Sequence, residues 1–304
     1  MVKIEAGQFL DFVKLFPIRR NKKEKIKIQN NLINYFKSFD MKPTEYVEGL
    51  GLRKIRHYLF GDLDKAKTIY VCGYDTTEKL LLGSGDYWPL QENRNRSKTF
   101  VNITLSLILA AILAVGGIFL LRYALSIKTF MKYVNIICAI IIFYLANIVS
   151  QGFTNRATFS KSSSLFMMLE LAKYLDNEKV AYLFLDYGSY SKVGINFMNN
   201  EIFNNKRFIY LDFFGDGDTL MIGHDDVGVH TAKAIEENYK EKKVRVNLNK
   251  SVNRFNDIEN ITVLANVFID KDNECVVKNI RTDDDLTADP NVMENTLNAL
   301  IKIS

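Results

Sequence analysis

The stretch VAYLFLDYGSYSKVG, residues 180–194, contains a short apolar run that passes directly into a polar turn. The apolar run favours a buried β-strand, and Asp186 stands at its carboxyl end. In α/β proteins, ligand sites form at the carboxyl ends of parallel strands. Asp186 is followed in the sequence by Tyr187, Gly188 and Ser189, without a second carboxylate, histidine or cysteine. The stretch therefore predicts the position of a catalytic site but lacks the residues that catalysis needs.

Strands and helices alternate along most of the chain on either side of this stretch. Such alternation is typical of a mainly parallel sheet covered by helices on both faces, so we predict an α/β fold. The predicted strands are 44–52, 54–62, 67–75, 180–186, 207–213, 219–223 and 261–269, and the predicted helices are 22–40, 164–177, 192–203, 227–242 and 291–303.

Two charge-free runs interrupt this pattern. VNITLSLILAAILAVGGIFLL (101–121) has about the 20 residues that a membrane-spanning helix needs, and YVNIICAIIIFYLANIV (133–149) is a shorter uncharged run. We expect residues 100–150 to form a transmembrane hairpin with two spans, in preference to a buried helical hairpin. The pieces 1–99 and 151–304 then form one split domain on a single side of a cell membrane.

Basic residues near the two runs give an indication of orientation. An excess of positive charge outside the hairpin loop favours a cytoplasmic location for the split domain. The residues compared are Arg94, Arg96, Lys98, Arg156 and Lys161 beside the domain, against Arg122, Lys128 and Lys132 in the loop. The three cysteines are far apart and form no C-x-x-C pair, which argues against a disulfide framework and agrees with that compartment.

The overall charge excludes one class of partner. A net charge of +5 on 304 residues is mild, and no basic stripe with interleaved aromatic residues is visible in the sequence. Nucleic acid is therefore not an expected partner.

Five segments, in order, resemble the two-zinc aminopeptidases of metallopeptidase family 28. That family also includes glutamate carboxypeptidase, glutaminyl cyclase and the non-catalytic domains of transferrin receptor and nicastrin. The family motifs A-H-x-D, G-x-x-D-N-x-S-G before ALLELA, D-x-E-E, N-x-D-x-x-G and I-H-T-x-x-D correspond to CGYD (72–75), ATFSKSSSLFMMLELA (157–172), LFLDYGS (183–189), IYLDFFG (209–215) and IRTDDD (280–285). The resemblance spans about residues 23–99 and 151–303, although no single motif is intact.

The first two motifs imply that part of the family's zinc site is lost. The first ligand histidine of the family falls at Gly73, which has no side chain. Asp75 keeps the aspartate that orients that histidine in the family. The bridging aspartate falls at Ser160, which is too weak a ligand to hold two cations together.

The remaining motifs continue this loss. The general-base glutamate and the adjacent ligand glutamate fall at Gly188 and Ser189, and Asp212 alone matches a metal ligand. The last ligand histidine falls at Arg281, a permanent cation that repels zinc. We therefore expect Arg281 to pair with Asp212 or Asp75 where the family holds its metal.

The resemblance implies a membrane-anchored, catalytically inactive aminopeptidase-like protein without a cofactor. Its expected partners are the lipid bilayer and a peptide or membrane protein, which it would bind as an accessory factor or complex subunit. The alternative is an active metallo-aminopeptidase that processes peptides at the membrane surface. Its zinc would be held by Asp75 and Asp212, with Asp186 and with His224 or His230 recruited. A third interpretation is a purely structural subunit without an open cleft.

Three further stretches have less specific interpretations. In GHDDVGVH (223–230) the two histidines are six residues apart, so one helix face cannot present both, and an aspartate capping the next helix is favoured. TDDDLTAD (282–289) is expected to be a solvated loop before the last helix. In SKSSS (160–164), a helix start is favoured over a serine nucleophile with Lys161 as its base.

Overall fold

The computed structural model describes residues 2–49, 54–81, 84–127, 131–150, 153–154, 158–189 and 192–304. Within them, eleven strands form two sheets. The strands are β1 (Pro43–Glu48), β2 (Ile55–Phe60), β3 (Thr68–Gly73), β4 (Glu78–Lys79), β5 (Phe153–Thr154), β6 (Val180–Leu185), β7 (Arg207–Phe214), β8 (Thr219–His224), β9 (Lys243–Asn247), β10 (Ile261–Ile269) and β11 (Cys275–Val276). The helices are α1 (Ala6–Leu15), α2 (Lys22–Lys37), α3 (Glu92–Ser126), α4 (Met131–Ser150), α5 (Phe159–Tyr174), α6 (Lys192–Ile195), α7 (Val229–Asn238) and α8 (Pro290–Ile303).

The main sheet has the strand order β1-β2-β6-β3-β7-β10-β8-β9, with β11 paired to β10. Its centre is parallel, because β3 pairs in parallel with β6 and β7, and β7 pairs in parallel with β10. Antiparallel pairings join β1, β2 and β6 at one side and β8 to β10 at the other. The predicted α/β class with a mainly parallel sheet is confirmed.

Apolar side chains cover both faces of the sheet. Tyr70 and Cys72 of β3 belong to one buried cluster, together with side chains from α1, α2, α5, α7 and α8. Ile69 and Val71 of the same strand belong to the other, which includes Phe197 and the chain that follows α6. This alternation along β3 shows why the strand is apolar throughout: a central strand is buried on both faces.

Several boundaries differ from the predicted ones. Helix α5 begins at Phe159, five residues before the predicted start, because its serines are buried together with its apolar residues and leave no polar stripe to mark the boundary. The predicted helix 192–203 is the short α6 followed by two 3₁₀ turns. The sequence analysis missed α1 and the half-exposed strand β9.

Two long helices follow β3 and precede α5 in the chain. Both α3 and α4 are long and apolar enough to span a membrane. Their large apolar side chains, such as Phe100 and Phe119, are mostly exposed, whereas the core helix of a soluble protein would bury them. Helix α3 begins nine residues before the apolar run, so its first two turns carry polar residues.

The base of this helix pair is fixed to the α/β domain. Strands β4 and β5, which lie on either side of the helix pair in the chain, form a small antiparallel sheet. Asn102 accepts a hydrogen bond from the Leu81 amide at 2.7 Å, and Asn95 exchanges hydrogen bonds with the backbone of Trp88. The Arg94 guanidinium lies 3.7 Å from the centre of the Trp88 ring.

The structure alters the set of basic residues that can indicate the membrane orientation. Lys161 is buried in the domain and is 3% exposed, so it cannot contribute to a surface charge facing a membrane. Arg156 and Lys128 lie outside the described residues. The orientation of the domain therefore stays a prediction.

Candidate functional site

The carboxyl ends of three adjacent strands bring most of the predicted site residues to one edge of the sheet. Gly73 ends β3, Asp186 follows β6 and Asp212 lies near the end of β7, and β3 is the strand between the other two. Asp75 follows β3 by two residues. All three aspartates are buried, so any chemistry at this edge would take place out of contact with bulk water.

Backbone fills the space beside Gly73. A Cβ atom at this position would lie 2.6 Å from the Ser189 amide nitrogen and 2.8 Å from the Gly188 carbonyl carbon. A Cβ atom at Gly188 would in turn lie 3.1 Å from the Gly73 Cα. The two glycines therefore let the turn after β6 pack directly onto β3, and neither a histidine nor a glutamate fits between them.

Asp75 holds this turn in place. The buried Ser189 donates hydrogen bonds to the Asp75 carboxylate from its amide at 3.0 Å and from its hydroxyl at 2.8 Å. The same hydroxyl lies 2.6 Å from the Asp75 carbonyl oxygen. In this fold Asp75 orients a serine and its backbone, where the resemblance gives it a histidine to orient.

A guanidinium occupies the space in front of Asp212. Arg254, from the chain between β9 and β10, forms an ion pair with the fully buried Asp212 and donates to the Gly188 carbonyl at 2.8 Å. The Tyr210 hydroxyl donates to the same carbonyl at 2.7 Å. Burial lowers the pKa of Arg254, but the Asp212 carboxylate and the Tyr87 and Tyr210 side chains together more than offset this, so the net pKa is raised.

A second cation, Lys161, lies close to the same pair. Its Nζ is 5.0 Å from the centre of the Phe213 ring and has no hydrogen-bond partner within the described residues. Burial lowers the pKa of Lys161, and the opposing effect of Asp212 is the largest among its charged neighbours. Lys161 and Arg254 thus bring two positive charges to the carboxylates of Asp75 and Asp212, where a metal centre would bring metal ions.

The resemblance assigns Ser160 to the position of a bridging aspartate. In the structure, Ser160 has a carboxylate neighbour from another part of the chain. Its hydroxyl and amide donate to Asp285 Oδ1 at 2.6 and 3.0 Å. Asp285 is 4% exposed, and burial raises its pKa to about 7. The expectation of a solvated loop at 282–289 is therefore wrong for Asp285, because this carboxyl binds the first turn of α5.

Asp186 has a cation of its own on the other side of the turn. Lys25 of α2 forms an ion pair with it at 2.5 Å and places its Nζ 4.0 Å from the centre of the Tyr187 ring. Burial raises the pKa of Asp186, and Lys25 opposes that rise. The His57 Nδ1 accepts a hydrogen bond from the Asp186 amide at 3.3 Å.

Arg281 does not take the place expected for it. The ion pair on Asp212 is made by Arg254, and Arg281 donates to the Thr99 hydroxyl in α3 at 2.9 Å. Within the described residues, no ion pair joins Arg281 to Asp212 or Asp75. The predicted pairing is wrong because the chain between β9 and β10 reaches Asp212, and Arg281 faces the base of the long helices instead.

The fold also separates His224 from the other residues of the alternative zinc site. His224 pairs with Thr262 of β10, which pairs in turn with Ile209 of β7. Asp212 lies two strands away and three residues further along, so the two Cα atoms are roughly 14 Å apart. The His224 ring forms a hydrogen bond with the Asp225 carbonyl at 2.8 Å, and His230 is exposed on α7. The alternative set of Asp75, Asp212 and His224 is therefore not assembled.

The donor chemistry of this edge does not fit a zinc ion. No group of three or more histidine, cysteine, aspartate or glutamate side chains able to hold a metal occurs in the described part of the chain. More directly, backbone fills the ligand position at Gly73, and a cation occupies one oxygen of Asp212. Zinc prefers imidazole, thiolate and carboxylate donors, and a guanidinium in their midst repels it.

A pocket of about 350 Å³ lies on the outer side of Arg254. Its lining residues come from the loop before α3, the first turns of α3, α6 and the chain between β9 and β10. They are Tyr87, Pro89, Glu92, Asn95, Arg96, Thr99, Lys192 and Arg254. The pocket thus lies at the first turns of α3, directly before the apolar part of the helix.

Arg254 and Asp285 are two of the site residues whose contacts the sequence did not reveal. Arg254 stands in SVNRFND (251–257), which has no motif, and reaches Asp212 from a loop 42 residues later in the chain. Asp285 lies within the acidic run that was interpreted as solvated. Asp285 is the final aspartate of IRTDDD (280–285) and matches the last residue of the motif I-H-T-x-x-D, so the motif was a signal for it, whereas no local signal marked Arg254.

Comparison with known proteins places the fold among the zinc-aminopeptidase-like structures. A glutaminyl cyclase from Porphyromonas gingivalis is similar over 99% of this chain and 98% of its own, at 13% identity and a TM-score of 0.58. A glutaminyl cyclase from Fimbriiglobus ruber is similar over 99% of this chain and 95% of its own, at 11% identity and a TM-score of 0.51. The LapA aminopeptidase from Legionella pneumophila is similar over 99% of this chain and 69% of its own, at 11% identity and a TM-score of 0.54. No family model matches the chain, and no curated protein matches it by sequence.

Proposed function

We propose that this protein is a membrane-anchored, catalytically inactive aminopeptidase-like protein that binds a peptide or a membrane-protein partner as an accessory or complex subunit. It works without a metal cofactor, and its α/β domain lies on the cytoplasmic side of a cell membrane. The observation that carries the proposal is the Asp212–Arg254 ion pair, which places a guanidinium where the zinc ligands of the resembled family converge.

Two further features support the loss of catalysis. The turn after β6 contributes glycine and serine where the resembled family has its base and a ligand, and its backbone fills the remaining space at Gly73. Metal-dependent peptide hydrolysis needs an activated water and a group that accepts its proton. Asp75 is committed to hydrogen bonds with Ser189, and the Asp212 carboxylate pairs with Arg254.

Exposed apolar side chains beside the long helices support a binding role. Val193 and Val252 are 49% and 61% exposed, and both lie next to the first turn of α3. The Val252 carbonyl accepts a hydrogen bond from the Glu92 amide at 2.8 Å, and Lys192 forms an ion pair with the Glu92 side chain at 3.2 Å. A membrane partner that packs on the helix pair would reach both valines.

Metal content tests the inactive state. Detergent-purified protein is incubated with zinc and dialysed, and bound zinc is then measured by mass spectrometry. We expect no stoichiometric zinc in the wild type and no change in Asp212→Ala or in the exposed-residue control Asp11→Ala. One or two zinc ions per chain that are lost in Asp212→Ala but kept in Asp11→Ala would contradict the proposal and favour an active metallo-aminopeptidase.

Site-specific crosslinking tests the binding role. A photo-reactive benzoylphenylalanine is placed at Val193 or Val252, and the cells are irradiated before their membranes are isolated. We expect a discrete adduct with a peptide or membrane protein at both positions. Val47, on strand β1 and also 49% exposed, is the matched control. The same adducts at Val47, or adducts at none of the three positions, would contradict a partner at the helix base.

A further inference from the structure

We propose that the pocket beside Arg254 binds the phosphate of an anionic lipid headgroup. This inference rests on the membrane anchoring proposed above, but it concerns a different ligand and does not depend on the inactive state. It is carried by the position of the pocket on α3, by the charges that line it and by the Nε of Arg254, which has no hydrogen-bond acceptor within the described residues.

One face of α3 forms a wall of the pocket. Glu92, Asn95, Arg96 and Thr99 follow the i, i+3, i+4, i+7 pattern, so they lie on the same side of the helix. Phe100 comes next in the chain and is 69% exposed. Most of the large apolar side chains that follow it on α3 are also exposed. The pocket therefore ends where the apolar surface of the helix begins.

The rise of the helix gives the depth of the pocket relative to a bilayer. If the hydrocarbon layer begins at Phe100, Arg96 lies about 6 Å above it and Glu92 about 12 Å above it. The headgroup layer on each side of a bilayer is roughly 5 to 8 Å thick. Arg96 and Thr99 are thus within the headgroup layer, whereas Glu92 lies outside it.

The charges of the lining favour an anion. Three basic side chains line the pocket, those of Arg96, Lys192 and Arg254, and Glu92 is the single carboxylate among the lining residues. The buried Asp212 already pairs with Arg254, so Arg96 and Lys192 supply the accessible positive charge. Arg96 is exposed and forms no ion pair within the described residues. Lys192 divides its charge between Glu92 at 3.2 Å and Asp257 at 3.7 Å.

The inner end of the pocket adds a buried donor. Arg254 is 4% exposed, and its Nε has no hydrogen-bond acceptor within the described residues. Its two terminal nitrogens already bind Asp212 and the Gly188 carbonyl. Behind the helix wall, Arg281 donates to Thr99 and adds further positive charge. A phosphate accepts hydrogen bonds from such groups, and basic pockets of this kind beside membrane helices bind headgroups.

A lipid fits the position better than a free anion or an acidic peptide does. Tyr87 and Pro89 form an apolar part of the wall, and the exposed apolar surface of α3 continues from the pocket into the hydrocarbon layer. A headgroup phosphate in the pocket would therefore let its acyl chains follow α3 without leaving the bilayer. A soluble ligand would gain nothing from that continuity.

The test uses the full chain in detergent and native mass spectrometry. Phosphatidylglycerol, zwitterionic phosphatidylcholine and inorganic phosphate are titrated separately, and the bound fraction is measured for the wild type and for variants. We expect phosphatidylglycerol to bind in preference, and Arg96→Gln combined with Lys192→Gln to weaken it about tenfold or more. Arg122→Gln is the matched control, because Arg122 lies at the other end of α3, about 39 Å away.

The result can separate this inference from the proposed function. Extraction of membranes at alkaline pH shows independently whether the chain is inserted, and loss of the chain in that step contradicts both proposals. Equal binding of the two lipids, equal weakening by Arg122→Gln, or saturation by inorganic phosphate overturns the lipid site alone. Displacement of the lipid by an acidic peptide at a lower concentration would also overturn it and assign the pocket to a peptide.

Discussion

Two buried aspartates near the same edge of the sheet are compensated in different ways. Asp212 faces the guanidinium of Arg254, so its negative charge has a permanent positive partner inside the domain. Asp285 faces the hydroxyl and amide of Ser160, and burial raises its pKa to about 7. A hydrogen-bond donor without charge does not offset the loss of water around a carboxylate, whereas a fixed cation can. A permanent cation thus compensates the Asp212 carboxylate, whereas no ion pair within the described residues compensates the Asp285 carboxyl.

The largest expected effect follows from removing Arg254, the cation that pairs with Asp212. Arg254→Met removes the ion-pair partner of the buried Asp212 and leaves only Lys161 as a basic neighbour, and we expect a loss of up to about 5 kcal/mol in the free energy of unfolding. Thermal unfolding of the detergent-purified protein measures it. Arg254→Met combined with Asp212→Leu removes both charges and should recover most of the loss. The exposed pair Lys242–Asp218 is the control, since Lys242→Met should cost less than about 1 kcal/mol.

The second effect is a pH dependence of the free energy of unfolding that arises from Asp285. The Asp285 pKa is 3.8 in an unfolded chain and about 7 in the fold, so the unfolded state releases its proton first as the pH rises. This contribution to stability is fully present below pH 4 and is lost as the pH rises to about 7. The loss is on the order of 3 to 4 kcal/mol.

Asp285→Asn isolates this contribution from other titrating groups. The amide oxygen still accepts from Ser160, but the side chain carries no charge at any pH. We expect the variant to match the wild type near pH 4 and to exceed its stability near pH 8, as measured by thermal unfolding at both values. A constant difference between the two proteins across this range would show that Asp285 is hydrated in the folded state.

The smallest expected effect concerns Asp186, whose charge compensation is intermediate between that of Asp212 and that of Asp285. Asp186 has a cation, Lys25, but this ammonium group also contacts the Tyr187 ring and is 10% exposed as a side chain. We expect Lys25→Met to cost about 2 kcal/mol at pH 7, because the Asp186 carboxyl can take up a proton once Lys25 is absent. The cost should shrink as the pH falls toward 5. A loss as large as that of Arg254→Met would remove the distinction between a partly exposed and a fully buried pair.

Much of the framework could be predicted because its signals are local. The strands β3, β6 and β7 are mostly apolar, and short polar turns end each of them. The helix pair was visible as two uncharged runs of membrane-spanning length. Helix α5 was located but not its start, since the buried serines of its first turn gave no boundary signal.

The site was only partly predictable, because charge pairing joins residues that are far apart in the chain. The family resemblance placed Gly73, Asp75 and Asp212 at the strand ends and led us to expect a cation opposite Asp212 or Asp75. It selected Arg281 for that role on the basis of a motif position. The loop between β9 and β10 brings Arg254 there instead, and the loop before α8 brings Asp285 to Ser160.

The sequence by itself determined the α/β class, the order of the strands along the chain and the position of two long apolar helices within it. It determined these because apolar periodicity and run length are properties of neighbouring residues. The tertiary structure decided which charges meet, that backbone fills the space beside Gly73, and that the open pocket borders the first turns of α3. Such contacts depend on the packing of loops separated by tens to hundreds of residues, and no local pattern encodes that packing.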